Sequence, residues 1–176
     1  CEKGEVDGIE QISSQYFDHL NEYLTSFVGG GIMFLWINQQ GTSPETAALL
    51  SNQNFRQALN YGFDRSATVN AVNPGYKAYN RLVDSNFAGP GGGKFVDEYP
   101  VETAPLSGDV DQAKEYLAAA MEELGYSDVS QLPQLELITW DTSEQKLLLK
   151  TIIDQWKQNL GLENIQLTQY VIGTAI

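Results

Sequence analysis

Cysteine and histidine, the side chains that most often serve as nucleophile, general base or transition-metal ligand, are nearly missing from this chain. Among 176 residues there is one cysteine, Cys1, and one histidine, His19. No disulfide can form within the chain. A Cys/His zinc site and a Cys-His or Ser-His nucleophile pair are excluded, apart from Cys1 with His19 itself. His19 sits beside Asp18 and Glu22 on the polar flank of a helical pattern, where it reads as a solvated side chain. The 23 acidic residues offer no pair in an apolar setting that would drive two carboxyl pKa values apart, and no calcium-loop spacing. Gly89-Pro-Gly-Gly-Gly93 could suggest a phosphate cradle, but no Lys-Ser/Thr follows it and no strand-to-helix context surrounds it. It reads as a plain flexible loop. No metal, cofactor or catalytic group is expected.

What remains is the chemistry of non-covalent capture. Ligands of open α/β sheets collect at the carboxyl ends of strands, and two such ends are legible. One is Ile37-Asn38-Gln39. The other is Thr139-Trp140-Asp141-Thr142-Ser143, where a strand runs directly into a helix start. Free backbone N–H groups and the positive end of a helix dipole there suit a carboxylate or a peptide carbonyl, and Trp140 offers a stacking face. The competing reading makes Trp140 a core residue and Thr142 and Ser143 mere caps.

Positioning these groups is the task of the elements around them. The run Ile9, Ile12, Tyr16, Leu20, Tyr23, Leu24, Phe27 has helical spacing, and Gly29-Gly-Gly31 ends it. Ile32–Ile37 is a continuous apolar run, read as a central strand buried on both faces. Ser43-Pro44 opens a short helix reaching Leu50. A second helix starts near Asn54, with Phe55, Ala58, Leu59 and Phe63 as its apolar stripe. Asp64 caps a third carrying Ala67, Val69 and Val72, which Pro74-Gly75 stops. Residues 73–108 read as long and mostly irregular. Asp109, with Gln112 three residues on, opens a helix with Val110, Ala113, Leu117, Met121 and Leu124 inward and Gly125 as its C-cap. Leu135–Trp140 is a strand. Thr142 with Gln145 is a capping box for a helix to Leu160, with Leu149, Ile152, Ile153, Trp156 and Leu160 inward. Ile165–Tyr170 is a further strand, so residues 135–170 form a βαβ unit with parallel strands and a right-handed crossover. The whole reads as one α/β domain rich in helix.

Composition narrows the partners. Ten Lys+Arg against 23 Asp+Glu give a net charge of −13, which argues against nucleic acid and against anionic lipid. At 42% hydrophobic residues a core is available. No apolar run approaches the ~20 residues of a membrane helix. With no initiator Met, and with an end just after a strand-like segment, the chain reads as an excised piece of a longer protein.

Several segments together resemble the family 5 extracellular solute-binding proteins, the oligopeptide-, dipeptide- and nickel-binding subunits of ABC importers. Asn54-Phe-Arg56-Gln-Ala58-Leu59-Asn-Tyr-Gly-Phe-Asp64-Arg65 resembles the signature VRQAL-x-x-A-x-DR, with Gly62 in place of the usual Ala. Gly4-Glu-Val-Asp7 is similar to GEiD, and Phe34-Leu-Trp-Ile-Asn38 to the strand yl-x-x-N ahead of the signature. Asp109-Val-Asp-Gln-Ala113-Lys114 through Leu124-Gly125-Tyr126, and Trp156-Lys-Gln-Asn-Leu160-Gly161, follow in the family's order. The 80–108 stretch departs from the family's pattern.

The resemblance implies a single lobe of a two-lobe periplasmic-binding-protein-like fold, with a mixed sheet flanked by helices. It implies a receptor rather than an enzyme, one that captures extended oligopeptides between two lobes for uptake. Nickel chelate, heme or oligosaccharide as cargo, or a surface interaction module on the same fold, are the alternatives. Outside the family, a hydrolase fragment would need two cleft carboxylates, which the sequence does not show. The implied partners are the peptide and the importer's membrane permease subunits, with the receptor a monomer. The implied location is the outer face of the membrane, lipid-anchored in the full-length protein, or the periplasm. Carried over residue by residue, the ligand-facing positions are Trp140, Asp141, Thr142, Ser143 and Gln145, with Gln169 and Tyr170 at the second strand's end. Asn38 joins them from the first strand end. The signature around Arg56 and Arg65 is structural in the family.

Overall fold

The computed structural model describes residues 7–8, 16–23, 25, 31–73 and 75–170. Cys1, the Gly4–Asp7 match except Asp7, and most of the first helical pattern lie outside the described residues. Of that pattern, α1 (Phe17–Leu20) and a 3₁₀ turn at Asn21–Tyr23 are seen, with His19 exposed on α1.

Three short helices follow. α2 (Pro44–Ser51) begins at Ser43, whose hydroxyl accepts from the Thr46 N–H at 3.2 Å, with Pro44 in the first turn where its missing N–H costs nothing. α3 (Gln53–Tyr61) is capped by Asn52 and buries Phe55, Ala58 and Leu59. α4 (Arg65–Val72) is capped by Asp64, whose carboxylate accepts from the Ala67 N–H at 2.8 Å. The inward face of α4 differs from the expected stripe. Thr68 and Val72 are buried, while Ala67 is exposed and Val69 half-buried. Thr68 tolerates burial because its hydroxyl donates to Asp64 O at 2.6 Å and accepts from Gln155 Nε2 at 2.8 Å.

Residues 75–108 are largely irregular, as expected, with one four-residue helix, α5 (Phe95–Glu98). α6 (Val110–Leu124) starts at the Asp109 cap and ends at Gly125, which takes the left-handed φ of 77° that favours glycine. The reciprocal half of the expected capping box is absent, because the Gln112 side chain turns to Glu115 instead. β1 (Leu135–Trp140), α7 (Ser143–Leu160) and β2 (Ile165–Tyr170) form the βαβ unit with the expected boundaries. The strands run parallel, Leu135 opposite Ile165 and Trp140 opposite Tyr170. Among the described residues this pair is the sheet.

The core lies between α3, α6 and α7 and the inner face of the sheet. Leu149, Ile152, Ile153, Trp156 and Leu160 point inward from α7, as their spacing predicts, and meet Phe55, Ala58, Leu59, Ala113, Leu117 and Leu135. Trp156 is the largest side chain in this core, 2% exposed. Its indole N–H donates to Leu59 O at 2.9 Å, which removes the cost of burying that donor. Asn159 Nδ2 donates to Gly62 O, and Gln155 Oε1 accepts from the Asp64 N–H. These bonds stitch α7 to the corner between α3 and α4.

Ile32–Ile37 overturns an expectation. It has no strand conformation and is not buried: Phe34 is 60% exposed and Trp36 79%. Only Ile37 packs on the core. Composition supplies the tendency to extend, but a strand exists only through a ladder, and no described segment pairs with this one.

Candidate functional site

The parallel pair brings two strand ends side by side. Alternation along β1 turns Leu135, Leu137 and Thr139 toward α7 and leaves Glu136, Ile138 and Trp140 on the outer face. Thr168 of β2 hydrogen-bonds Glu136 across that outer face. Trp140 is the last residue of β1 and 52% exposed, outside the core that this chain forms. Ile138, two residues before it, is exposed as well. Together they make an apolar strip leading to the carboxyl end of the sheet.

Immediately beyond lies the start of α7. Thr142 is its N-cap, accepting from the Gln145 N–H at 3.2 Å and donating its own N–H to Trp140 O at 2.8 Å. Ser143 is the first helical residue and is exposed. Asp141 pairs with Lys146, a bond between half-exposed partners that fixes the turn more than it stabilises the fold. The Gln145 side chain does not close the expected capping box. It turns inward, where its Oε1 accepts from the buried Thr139 hydroxyl at 2.9 Å. It therefore ties the strand end to the helix start. Gln169 and Tyr170 lie opposite Thr139 and Trp140 in the ladder. Trp140, Asp141, Thr142, Ser143 and Gln145 thus form one corner with the backbone of Gln169 and Tyr170.

Asn38 lies elsewhere, in the turn before α2, whose packing neighbours are α3 and α6. Its side chain accepts from the Gln40 N–H at 3.1 Å and its carbonyl from Gly41 N–H. This is turn chemistry.

Three residues at the corner were not legible from sequence. Asn73, just past α4, donates through Nδ2 to Glu144 Oε1 at 2.8 Å, and so anchors the first turn of α7 to α4. Tyr76 has its hydroxyl pKa raised, first by burial and then by the neighbouring Glu144 carboxylate. The phenol stays a neutral hydrogen-bond donor at physiological pH. Asn73 and Glu144 are 71 residues apart, and nothing local to either one points to the other. The surface concavity lined by Gln134, Glu163, Asn164, Ile165 and Gln166 is at the other, amino end of the strands. It is separate from this corner.

The signature arginines act on backbone. Arg56 donates to Leu50 O at 3.0 Å, at the end of α2. Arg65 donates to Asn60 O at 3.1 Å and to the Asn60 side chain, with its guanidinium over the Phe63 ring at 4.4 Å. A cation on the last carbonyls of a helix is favoured by the dipole. Both arginines hold helix ends, and Asp64 is a cap rather than their ion-pair partner.

Comparison with known proteins places this α/β arrangement among solute-binding receptors. The pheromone receptor PrgZ, solved with its mode of peptide binding, matches over 93% of this chain and 30% of its own, with 24% identity and a TM-score of 0.64. The peptide-bound OppA of Listeria monocytogenes matches 70% of this chain and 23% of its own, with 23% identity and a TM-score of 0.56. In sequence, the oligopeptide-binding protein OppA of Bacillus subtilis (strain 168) is 30% identical over 118 residues, 65% of this chain and 20% of that protein. The chain belongs to the bacterial extracellular solute-binding proteins, family 5, whose middle-region model matches residues 1–170. Members of that family are solute receptors, not enzymes. The chain spans about one fifth of the length of the curated relative it matches.

Proposed function

We propose that this chain is one α/β lobe of a two-lobe ABC-importer receptor, and that it captures extended oligopeptides non-covalently for uptake through the importer's membrane permease. The exposed Trp140, set at the carboxyl ends of two parallel strands beside the start of α7, carries this reading. An aromatic of that size left half in water at the carboxyl ends of the strands, where ligands of α/β sheets collect, suits a surface that is covered when ligand arrives. Peptide binding by the OppA and PrgZ relatives supports oligopeptide as the cargo. Within the corner, Trp140 provides the stacking face and the N–H groups at the start of α7 donate to a peptide carbonyl or carboxylate. Thr142, Gln145 and the Asp141–Lys146 pair position them. Lobes that close on a peptide by hinge motion bury its backbone and leave its side chains in wet pockets.

Binding of a random oligopeptide library to the two-lobe receptor, read by calorimetry, tests the cargo class. Saturable binding of peptides, with none of nickel chelate, heme or oligosaccharide, is the expected result. The reverse pattern overturns the proposal. The isolated chain should bind the same peptides thousands-fold more weakly, because the several kcal/mol spent immobilising a peptide must be met by both faces.

A further inference from the structure

The Gly89–Gly93 loop is filled. The carboxylate of Glu98, from α5, reaches back into it and accepts from the Gly91 N–H and the Gly93 N–H, each at 2.8 Å. The loop is the tip of a short antiparallel hairpin. Gly89 N–H donates to Gly93 O at 2.8 Å, Phe95 N–H donates to Phe87 O at 2.8 Å, and Ala88 bridges Lys94. The docked carboxylate leaves no room for a Cβ at Gly89 or Gly91. A Cβ on Gly91 would sit 2.9 Å from Glu98 Oε1, one on Gly93 3.1 Å from the same atom, and one on Gly89 would overlap the carboxylate outright. Gly92 is required for a different reason, its φ of +90°. Alternate backbone N–H groups converging on one oxygen pair form a concave anion receptor of the kind called a nest.

We propose that the Gly89–Gly93 loop is a carboxylate-binding nest that the chain keeps closed to external carboxylates by occupying it with Glu98. The occupant is tethered five residues from the nearer donor, so its effective concentration far exceeds that of a free carboxylate. The closed nest in turn fixes the hairpin on which Phe87, Phe95 and Tyr99 make ring contacts, Phe95 with Tyr99 stacked at 4.8 Å between centroids.

Amide hydrogen exchange and acetate titration of the chain, followed by NMR, test this with three variants: Glu98→Ala, Gly89→Ala and the double substitution. Either single substitution should speed exchange at Gly91 and Gly93 about tenfold or more, since each breaks the same charge-assisted bonds. The double variant should exchange no faster than Glu98→Ala alone. Acetate should move the Gly91 and Gly93 amide signals saturably in Glu98→Ala and leave the wild-type signals unmoved. Unchanged β1 and β2 amides report an intact fold in every variant. Additive exchange effects, or amides that ignore acetate once Glu98 is gone, or a wild type that responds to acetate as the variant does, would each overturn the proposal.

Discussion

Ile32–Ile37 and Leu135–Trp140 are both six-residue runs of strand composition, yet only the second becomes a strand. The first is the more apolar of the two, and it stays irregular and exposed. Leu135–Trp140 has a partner delivered to it: α7 packs on the inner face and returns the chain as β2, in register from Leu135–Ile165 to Trp140–Tyr170. Ile32–Ile37 is followed instead by α2 and α3, which turn toward α6. Hydrophobicity says a segment wants burial. The connection that follows decides whether a ladder is there to receive it.

The contrast can be broken most forcefully at Trp156. Truncating it to alanine removes the largest side chain of the core and orphans Leu59 O. The expected loss is about 3–5 kcal/mol of unfolding free energy, read by denaturant titration. A loss near zero would mean that the βαβ unit is not the organising core. Gly161 ends α7 at φ +70° with open space where a Cβ would go. Gly161→Ala should therefore cost only the left-handed backbone penalty, about 1–2 kcal/mol, in the same titration. Thr142→Ala, which removes the α7 cap, should cost about 1 kcal/mol. At the small end, Trp36→Ser in the exposed run should change stability by less than about 0.5 kcal/mol. A cost of 2 kcal/mol or more there would show Ile32–Ile37 buried in solution, and the contrast would collapse.

The parts of the fold that were legible in advance are those with local causes. Caps at Ser43, Asp64, Asp109 and Thr142, the αL glycines 125 and 161, and the inward stripe of α7 all rest on residues within one or two turns of each other. Ile32–Ile37 was misread because pairing is non-local and periodicity carries no information about partners. The inward turn of Gln145 to Thr139 was missed for a related reason: the capping-box pattern fits the sequence, but a buried hydroxyl without a partner costs more than an open half-box. The link from Asn73 and Tyr76 to Glu144 was invisible because nothing local joins residues so far apart in the chain. For the candidate corner, the strand-to-helix turn was readable from Thr139 to Gln145. The grouping of Asn38 with it was not supported, since the strand that was to carry Asn38 does not form.

In the proposed function Trp140 is exposed for a ligand. Calorimetry of a cognate oligopeptide with the two-lobe receptor and its Trp140→Ala variant tests it most directly. Because the side chain is half in water, unfolding free energy should fall by no more than about 1 kcal/mol. Peptide affinity should fall tenfold or more, about 1.4 kcal/mol. Unchanged affinity with an intact fold would contradict the account and remove the β1–α7 corner from the binding site.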